Sequence, residues 1–279
     1  MGIILDGKSL AEKIANEIKD EISANNYKPS IAVVIVGANP ASQIYVRNKN
    51  IKALELGMNS TIVELPENIS QADLENEIEK LAADKSINAI LVQLPLPKHI
   101  DTNKIIEKIP PEKDVDGFHP YNIGRLFIGD KPFAIPCTPL GIKKILDEYN
   151  IECEGKNVVI VGRSTIVGKP LSAIFTNSNA TVTLCHSRTQ NLKEITQKAD
   201  IFVAAIGKPK FFTADYIKKD AVVIDVGINR DEKGQLVGDV DFENVKDIAS
   251  YITPVPKGVG PMTIAMLMYN TLELYKKSL

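Results

Sequence analysis

Tyr45 and Lys49 stand four residues apart in "SQIYVRNK", a spacing that puts both on one face of a helix, where an aromatic plane and an amine can address the same ligand. "VQLPLP" ends an apolar run on Gln93 and continues with Leu94 and Pro95. This is a rigid exit, expected at the carboxyl edge of a sheet, where open α/β folds take their ligands. "DVDGFHPYNIGRL" crowds Asp114, Asp116 and His119 into one turn. These are metal-ligand types, but no second His/Asp cluster completes a coordination set, so a turn motif without metal is expected. "PVPKGVGPMT" places three prolines and two glycines ahead of a helix, a backbone too specific to be filler, though a rigid interdomain turn would also explain it.

A further stretch, "VVIVGRSTIVGKPLS" from Val158, looks like a phosphate loop that fits neither usual spelling. Pro170 stands where a P-loop needs Ser or Thr for magnesium. Read as G-x-G-x-x-G, it has Ser164 in place of the middle glycine and one residue too many before Gly168. The setting is nevertheless that of a nucleotide site: a strand ends at Gly162, and a helix whose amide end favours phosphate opens at Gly168 and Pro170. The next strand ends in "HSRT", where an NAD site would usually carry an acidic residue for the ribose hydroxyls. Arg163, Ser187 and Arg188 instead form a cationic, hydrogen-bonding patch suited to the extra phosphate of NADP.

The elements that must position these residues alternate. Leu10, Ile14, Ile18 and Ile22 mark one helical face, and "IAVVIVG" reads as a buried strand. A helix from Tyr45 to Leu56 precedes the strand "STIVEL". Ser70 and Asp73 then cap a helix carrying Leu74, Ile78 and Leu81, ahead of the strand "AILVQL". Between Pro110 and Pro139 the chain is irregular, so a boundary is expected there. "NVVIVG", "TVTLC", "DIFVAAIG" and "AVVIDVG" form a second strand series. The fold expected is α/β with two domains. Residues 1–138, with a returning C-terminal helix over about 264–279, make a substrate domain, and residues 139–263 a Rossmann-type domain.

Composition removes other classes. The 279 residues are 44% hydrophobic, enough for a substantial core, and the formal charge of -2 offers no basic field for nucleic acid. No apolar stretch approaches the roughly 20 residues of a membrane helix. "MGIILDGKSL" lacks a signal-peptide pattern, so a cytoplasmic protein is expected. Cys137, Cys153 and Cys185 are odd in number and widely spaced, which fits reduced, mostly buried thiols.

Taken together, Y-x-x-x-K at Tyr45 and Lys49, "VQLPLP", "DVDGFHPYN", "PCTPLG", "GRSTIVGKP", "CHSRT", "VIDVGIN" and "PVPKGVGPMT" resemble, in order and approximate spacing, the bifunctional methylenetetrahydrofolate dehydrogenase/cyclohydrolase family. The resemblance runs nearly end to end. It implies two domains flanking a cleft, a homodimer formed through the second domain, and NADP-dependent oxidation of methylenetetrahydrofolate to methenyltetrahydrofolate. Hydrolysis to formyltetrahydrofolate follows, in one-carbon metabolism that serves purine biosynthesis. It implies Tyr45, Lys49, Gln93 and Asp116 as catalytic residues that also meet the folate, with Leu94, Pro95, Pro256, Gly258, Gly260 and Pro261 lining it. Gly162, Arg163, Ser164, Ser187 and Ile228 would hold the cofactor. A shikimate or amino acid dehydrogenase would explain the cofactor half, but not Tyr45, Lys49, Gln93 and Asp116 together. One departure stands out. The family's loop usually reads P-G-G-V-G-P, and Lys257 replaces its first glycine, so a positive φ there would cost about 1 kcal/mol or more.

Overall fold

The computed structural model describes residues 2–279. The chain opens with β1 (Ile3–Ile4) and α1 (Gly7–Asn25), then runs through β2 (Ser30–Val36), α2 (Pro40–Glu55), β3 (Asn59–Leu65), α3 (Gln71–Ala83), β4 (Ala89–Val92), α4 (Thr102–Lys108) and α5 (Pro120–Phe127). It divides into two compact units: a first of residues 13–135 with 267–279, and a second of the residues up to Glu12 with 136–266.

In the first unit β2 lies between β3 and β4 in a parallel three-stranded sheet. Every residue of β2 is buried, as the unbroken run "SIAVVIV" requires of a strand covered on both faces. Ala32, Val34 and Val36 pack with Leu74 and Ile78 of α3 and with Ile100, Ile105 and Ile109. Ser70 Oγ accepts from the Asp73 amide at 3.1 Å and donates to the Asp73 carboxylate at 2.7 Å, so α3 opens with the expected cap. α2 begins ahead of the expected Tyr45 because Asn39 caps it, Oδ1 taking the Ser42 amide at 3.2 Å, with Pro40 as first helical residue. The end of the chain belongs here as well: Asn270 Nδ2 donates to the carbonyls of Val115 and Ile135, each at 2.9 Å.

The second unit continues with α6 (Cys137–Glu148), β5 (Asn157–Val161), α7 (Gly168–Asn177), β6 (Thr181–Cys185), α8 (Leu192–Thr196), β7 (Ile201–Ala204), β8 (Val222–Asp225), β9 (Asn229–Arg230), β10 (Leu236–Val237), α9 (Phe242–Val245), β11 (Tyr251–Ile252) and α10 (Val259–Ser278). Its six-stranded sheet has the order β1-β11-β8-β7-β5-β6, parallel throughout. From β5 the chain steps out to β6 and returns to β7 on the other side. The β5/β7 edge is therefore the topological switch point, where an open sheet binds its nucleotide. Val159, Val161, Phe202, Phe212, Val223 and Ile252 form the core of one face.

The N-terminal segment departs from expectation. Placed by its sequence with the first domain, it groups with the second unit, because Ile3 and Ile4 pair with Tyr251 and Ile252 as an edge strand. A two-residue strand carries no readable periodicity. Cys137, Cys153 and Cys185 are buried. No helix among the described residues is long and apolar enough to cross a membrane.

Candidate active site

In the first unit, Val46 and Ala53 bury one side of α2, which leaves Tyr45 and Lys49 on its outer side, Tyr45 47% exposed. Beyond the last residue of β4, the Gln93 amide still donates to the Val34 carbonyl at 2.8 Å, so the side chain leaves from a fixed backbone. Gln93 Nε2 donates to the Leu94 carbonyl at 2.7 Å, and Lys49 Nζ donates to Gln93 Oε1 at 2.9 Å. With its nitrogen occupied, the Gln93 amide turns its oxygen to the lysine. A neutral acceptor orients the amine by a hydrogen bond alone. The Leu94–Pro95 peptide is cis, and Pro95 is exposed beside this pair.

Asp116 is half-buried next to Lys49. Burial pushes its carboxyl up to about 6; the Lys49 ammonium opposes that rise and the Asp114 carboxylate adds to it. The turn that holds Asp116 runs alongside β4, with the Ile90 amide donating to the Lys113 carbonyl at 2.8 Å. Asp114, 2% exposed, accepts from the His119 amide at 2.8 Å and from Asn122 Nδ2 at 2.9 Å. His119 Nδ1 accepts from the Tyr121 amide at 3.0 Å and caps α5. Asp114 and His119 thus build the turn that presents Asp116. No group of three or more His, Cys, Asp or Glu suited to a metal ion occurs among the described residues.

In the second unit, the loop after β5 explains its irregular spelling. Gly162, at φ +131°, comes so close to the end of β7 that a Cβ would lie 2.1 Å from the Ala205 carbonyl oxygen, and one on Gly168 would lie 1.8 Å from the Gly162 oxygen. Both positions therefore require glycine. Ser164, in the place of the fingerprint's middle glycine, folds the loop instead: its Oγ takes the Val167 amide at 3.1 Å and the Gly168 amide at 3.4 Å, and its carbonyl takes the Lys169 amide at 3.0 Å. The side chain of Arg163 is exposed. Because β6 pairs with β5, the 186–189 loop emerges at the same sheet edge. It is closed by the His186 amide on Thr189 Oγ1 at 2.8 Å, which leaves Ser187 and Arg188 exposed. Ile228, 54% exposed, follows β8.

The loop ahead of α10 has a cis Val255–Pro256 peptide and places Lys257 at φ +85°. The departure from glycine therefore falls on a left-handed position. A Cβ on Gly258 would lie 2.4 Å from the Pro254 oxygen, and the Lys257 carbonyl accepts the Lys8 amide at 2.9 Å. Gly260 lies beside Ile228, within 3.5 Å of where its Cβ would be, and Pro261 opens the helix behind it. A Cβ on Gly7 would lie 2.0 Å from the Gly258 oxygen, so Gly7 and Lys8 support this loop from a distant part of the chain, and nothing in their spacing signals it.

Residues 5–116 match the catalytic domain of tetrahydrofolate dehydrogenase/cyclohydrolase, and residues 136–279 match its NAD(P)-binding domain. The chain belongs to the tetrahydrofolate dehydrogenase/cyclohydrolase family. It is 54% identical to the bifunctional protein FolD of Bacillus anthracis, covering all of this chain and 98% of that one. The crystal structure of the bifunctional FolD of Campylobacter jejuni superposes with a TM-score of 0.97 at 47% identity, each chain fully covered. The Trypanosoma brucei enzyme, solved with NADP cofactor and inhibitor, gives a TM-score of 0.94 at 39% identity, with coverage of 99% and 98%. This family member thus joins a folate catalytic domain to a nicotinamide-nucleotide domain, and the two groups of residues described above lie one in each.

Proposed function

We propose that the protein oxidises 5,10-methylenetetrahydrofolate with NADP⁺ and hydrolyses the resulting 5,10-methenyl cation to 10-formyltetrahydrofolate, with Lys49 as the proton-handling group. The observation that carries this reading is the 2.9 Å hydrogen bond from Lys49 Nζ to Gln93 Oε1, with Asp116 nearby. Bound NADP⁺ supplies the hydride acceptor. Loss of hydride leaves an amidinium carbon, to which water adds. Both protons must leave that water as its oxygen becomes the formyl carbonyl, the bond from the carbon to N5 must break, and N5 must take up one proton while the other goes to solvent.

The Lys49 amine relays these protons between the attacking water and N5. Gln93 aims the Lys49 lone pair, and Tyr45, on the same helical face, offers its ring to stack on the folate. Asp116 accepts hydrogen bonds from the pterin amino and ring N–H groups. With its carboxyl at about 6, it is mostly ionised at neutral pH and suited to that task. Leu94 and Pro95, next to Gln93 in the chain, line the folate.

Gly162, Ser164 and Ile228 shape the seat of the nucleotide. Arg163, Ser187 and Arg188 meet the 2′-phosphate, a reading supported by their exposure at one sheet edge and by the absence of a carboxylate from the 186–189 loop. On the resemblance alone, the working form is a cytoplasmic homodimer joined through the second unit; sedimentation of the purified protein tests the assembly. The catalytic reading is tested by following nicotinamide reduction with methylenetetrahydrofolate and, separately, loss of methenyl absorbance. A folded protein that fails to reduce either NADP⁺ or NAD⁺ would refute it.

A further inference from the structure

Two carboxylates outside the chemistry just described are buried at the nucleotide edge of the second sheet. Asp239 is 0% exposed, and its oxygens gather the amides of Ile206 at 2.6 Å, Gly207 at 3.0 Å and Lys208 at 2.8 Å, together with Asn229 Nδ2 at 2.9 Å. Three consecutive amides converging on one carboxylate fold the segment after β7 into an anion nest, in which Gly207 takes a positive φ of 66°. Asp225, 3% exposed at the end of β8, accepts from the amides of Gly227 at 3.0 Å, Asp239 at 2.9 Å and Val240 at 2.9 Å.

The two groups interlock. A Cβ on Gly227 would lie 2.3 Å from Asp239 Oδ1, and one on Gly238 would lie 1.8 Å from Asp225 Oδ2, so each carboxylate fills the space that a neighbouring glycine leaves. Burial pushes Asp225 up to about 7 against these amide donors, with the Asp239 charge adding to the rise. Amide N–H groups occupy the lone pairs of both residues, so the pair is built to hold backbone and not a cation.

The segments it holds are the ones that matter for the cofactor. Residues 206–208 and 227–229 leave the carboxyl ends of β7 and β8, the edge at which an open parallel sheet binds its nucleotide. Ile228 stands between the Gly227 amide tied to Asp225 and the Asn229 side chain tied to Asp239.

We propose that Asp239, braced by Asp225, is a positioning residue for the nicotinamide nucleotide, fixing the loops after β7 and β8 in their binding conformation without touching the cofactor. The inference rests on the assignment of the second unit as the NADP site. Only the dehydrogenase reaction uses the cofactor, so a positioning role separates the two activities, whereas a purely structural role would lower stability and leave cofactor affinity of the folded protein intact.

The test is NADPH binding, read by nucleotide fluorescence, in wild type, Asp239→Asn and Asn229→Ala. Binding by wild type checks the site assignment independently of the variants. Asp239→Asn keeps the shape but turns an amino group toward donors, and its NADPH Kd is expected to rise between about 10- and 100-fold. Its methenyl hydrolysis, measured without nucleotide, should persist. Asn229→Ala removes one contact at a partly exposed position, and a smaller rise of the same kind is expected. It decides the matter if Asp239→Asn does not fold. Wild-type NADPH affinity in the folded variants, or a parallel fall of both activities, would overturn the proposal.

Discussion

Replacing Lys49 with Met tests the catalytic proposal most directly. Methionine keeps nearly the length of the side chain but neither donates to Gln93 Oε1, now 2.9 Å away, nor exchanges a proton. Loss of the hydrogen bond to a half-buried amide costs about 1 kcal/mol locally, too little to unfold a domain whose core lies elsewhere. Asp116 also loses the ammonium that opposes its rise, so its carboxyl should titrate above its present value of about 6. As pH is lowered, folate affinity in Lys49→Met should therefore begin to fall at a higher pH than in wild type, already near neutrality. The loss of proton handling itself is worth about 10² to 10⁴ in rate. Methenyltetrahydrofolate hydrolysis should drop by that factor, while hydride transfer, which needs no base, persists at a reduced level. Single-turnover hydrolysis and ligand affinity measured separately over a pH series make the comparison. Unchanged hydrolysis in the folded variant would refute the reasoning and reduce Lys49 to a helix-surface residue.

Catalytic efficiency should be higher with NADP⁺ than with NAD⁺, and Arg163→Ala should weaken NADP⁺ far more than NAD⁺; equal losses would place Arg163 on the shared pyrophosphate and leave the selectivity to Ser187 or Arg188. Asp116 has a carboxyl raised from 3.8 to about 6, so its contribution to stability is present below the lower value and lost as pH rises through the upper one. Asp116→Asn should accordingly melt higher than wild type at neutral pH, with the gap closing as pH falls toward 4, and should bind folate more weakly; an unchanged melting difference across that range would contradict the burial argument. Lys257→Gly relieves a left-handed backbone worth about 1–2 kcal/mol and restores about 0.5–1 kcal/mol of unfolded-chain entropy, so a small rise in the urea midpoint is expected and a fall would count against strain at this position.

Much of the fold was legible because its signals are local. The uniform burial of β2 follows from "SIAVVIV", and the cap of α3 from Ser70 and Asp73 three residues apart. The pair Tyr45 and Lys49 was legible in the same way, since helical spacing alone puts both on one face. Short pairings were not legible. β1 is two residues long, and only the register of Ile3 and Ile4 against Tyr251 and Ile252 assigns the N-terminus to the second unit.

The sites divide along the same line. Residue types at Lys49, Gln93, Asp116 and Arg163, and the missing carboxylate in "HSRT", are written in the sequence and fix the class of chemistry. Tertiary structure decided which side chains meet and which support a loop. Gln93 meets Lys49 across 44 positions of chain, Asp114 and His119 became supports of a turn, and Ser164 became the brace of a loop whose first glycine is compelled by the Ala205 carbonyl of another segment. Asp239 gave no signal at all, because its partners lie about β7 and β8 and become neighbours only when parallel strands align. Sequence spacing reports contacts within a helix turn or along a strand, whereas hydrogen bonds between separate segments exist only once packing has brought their ends together.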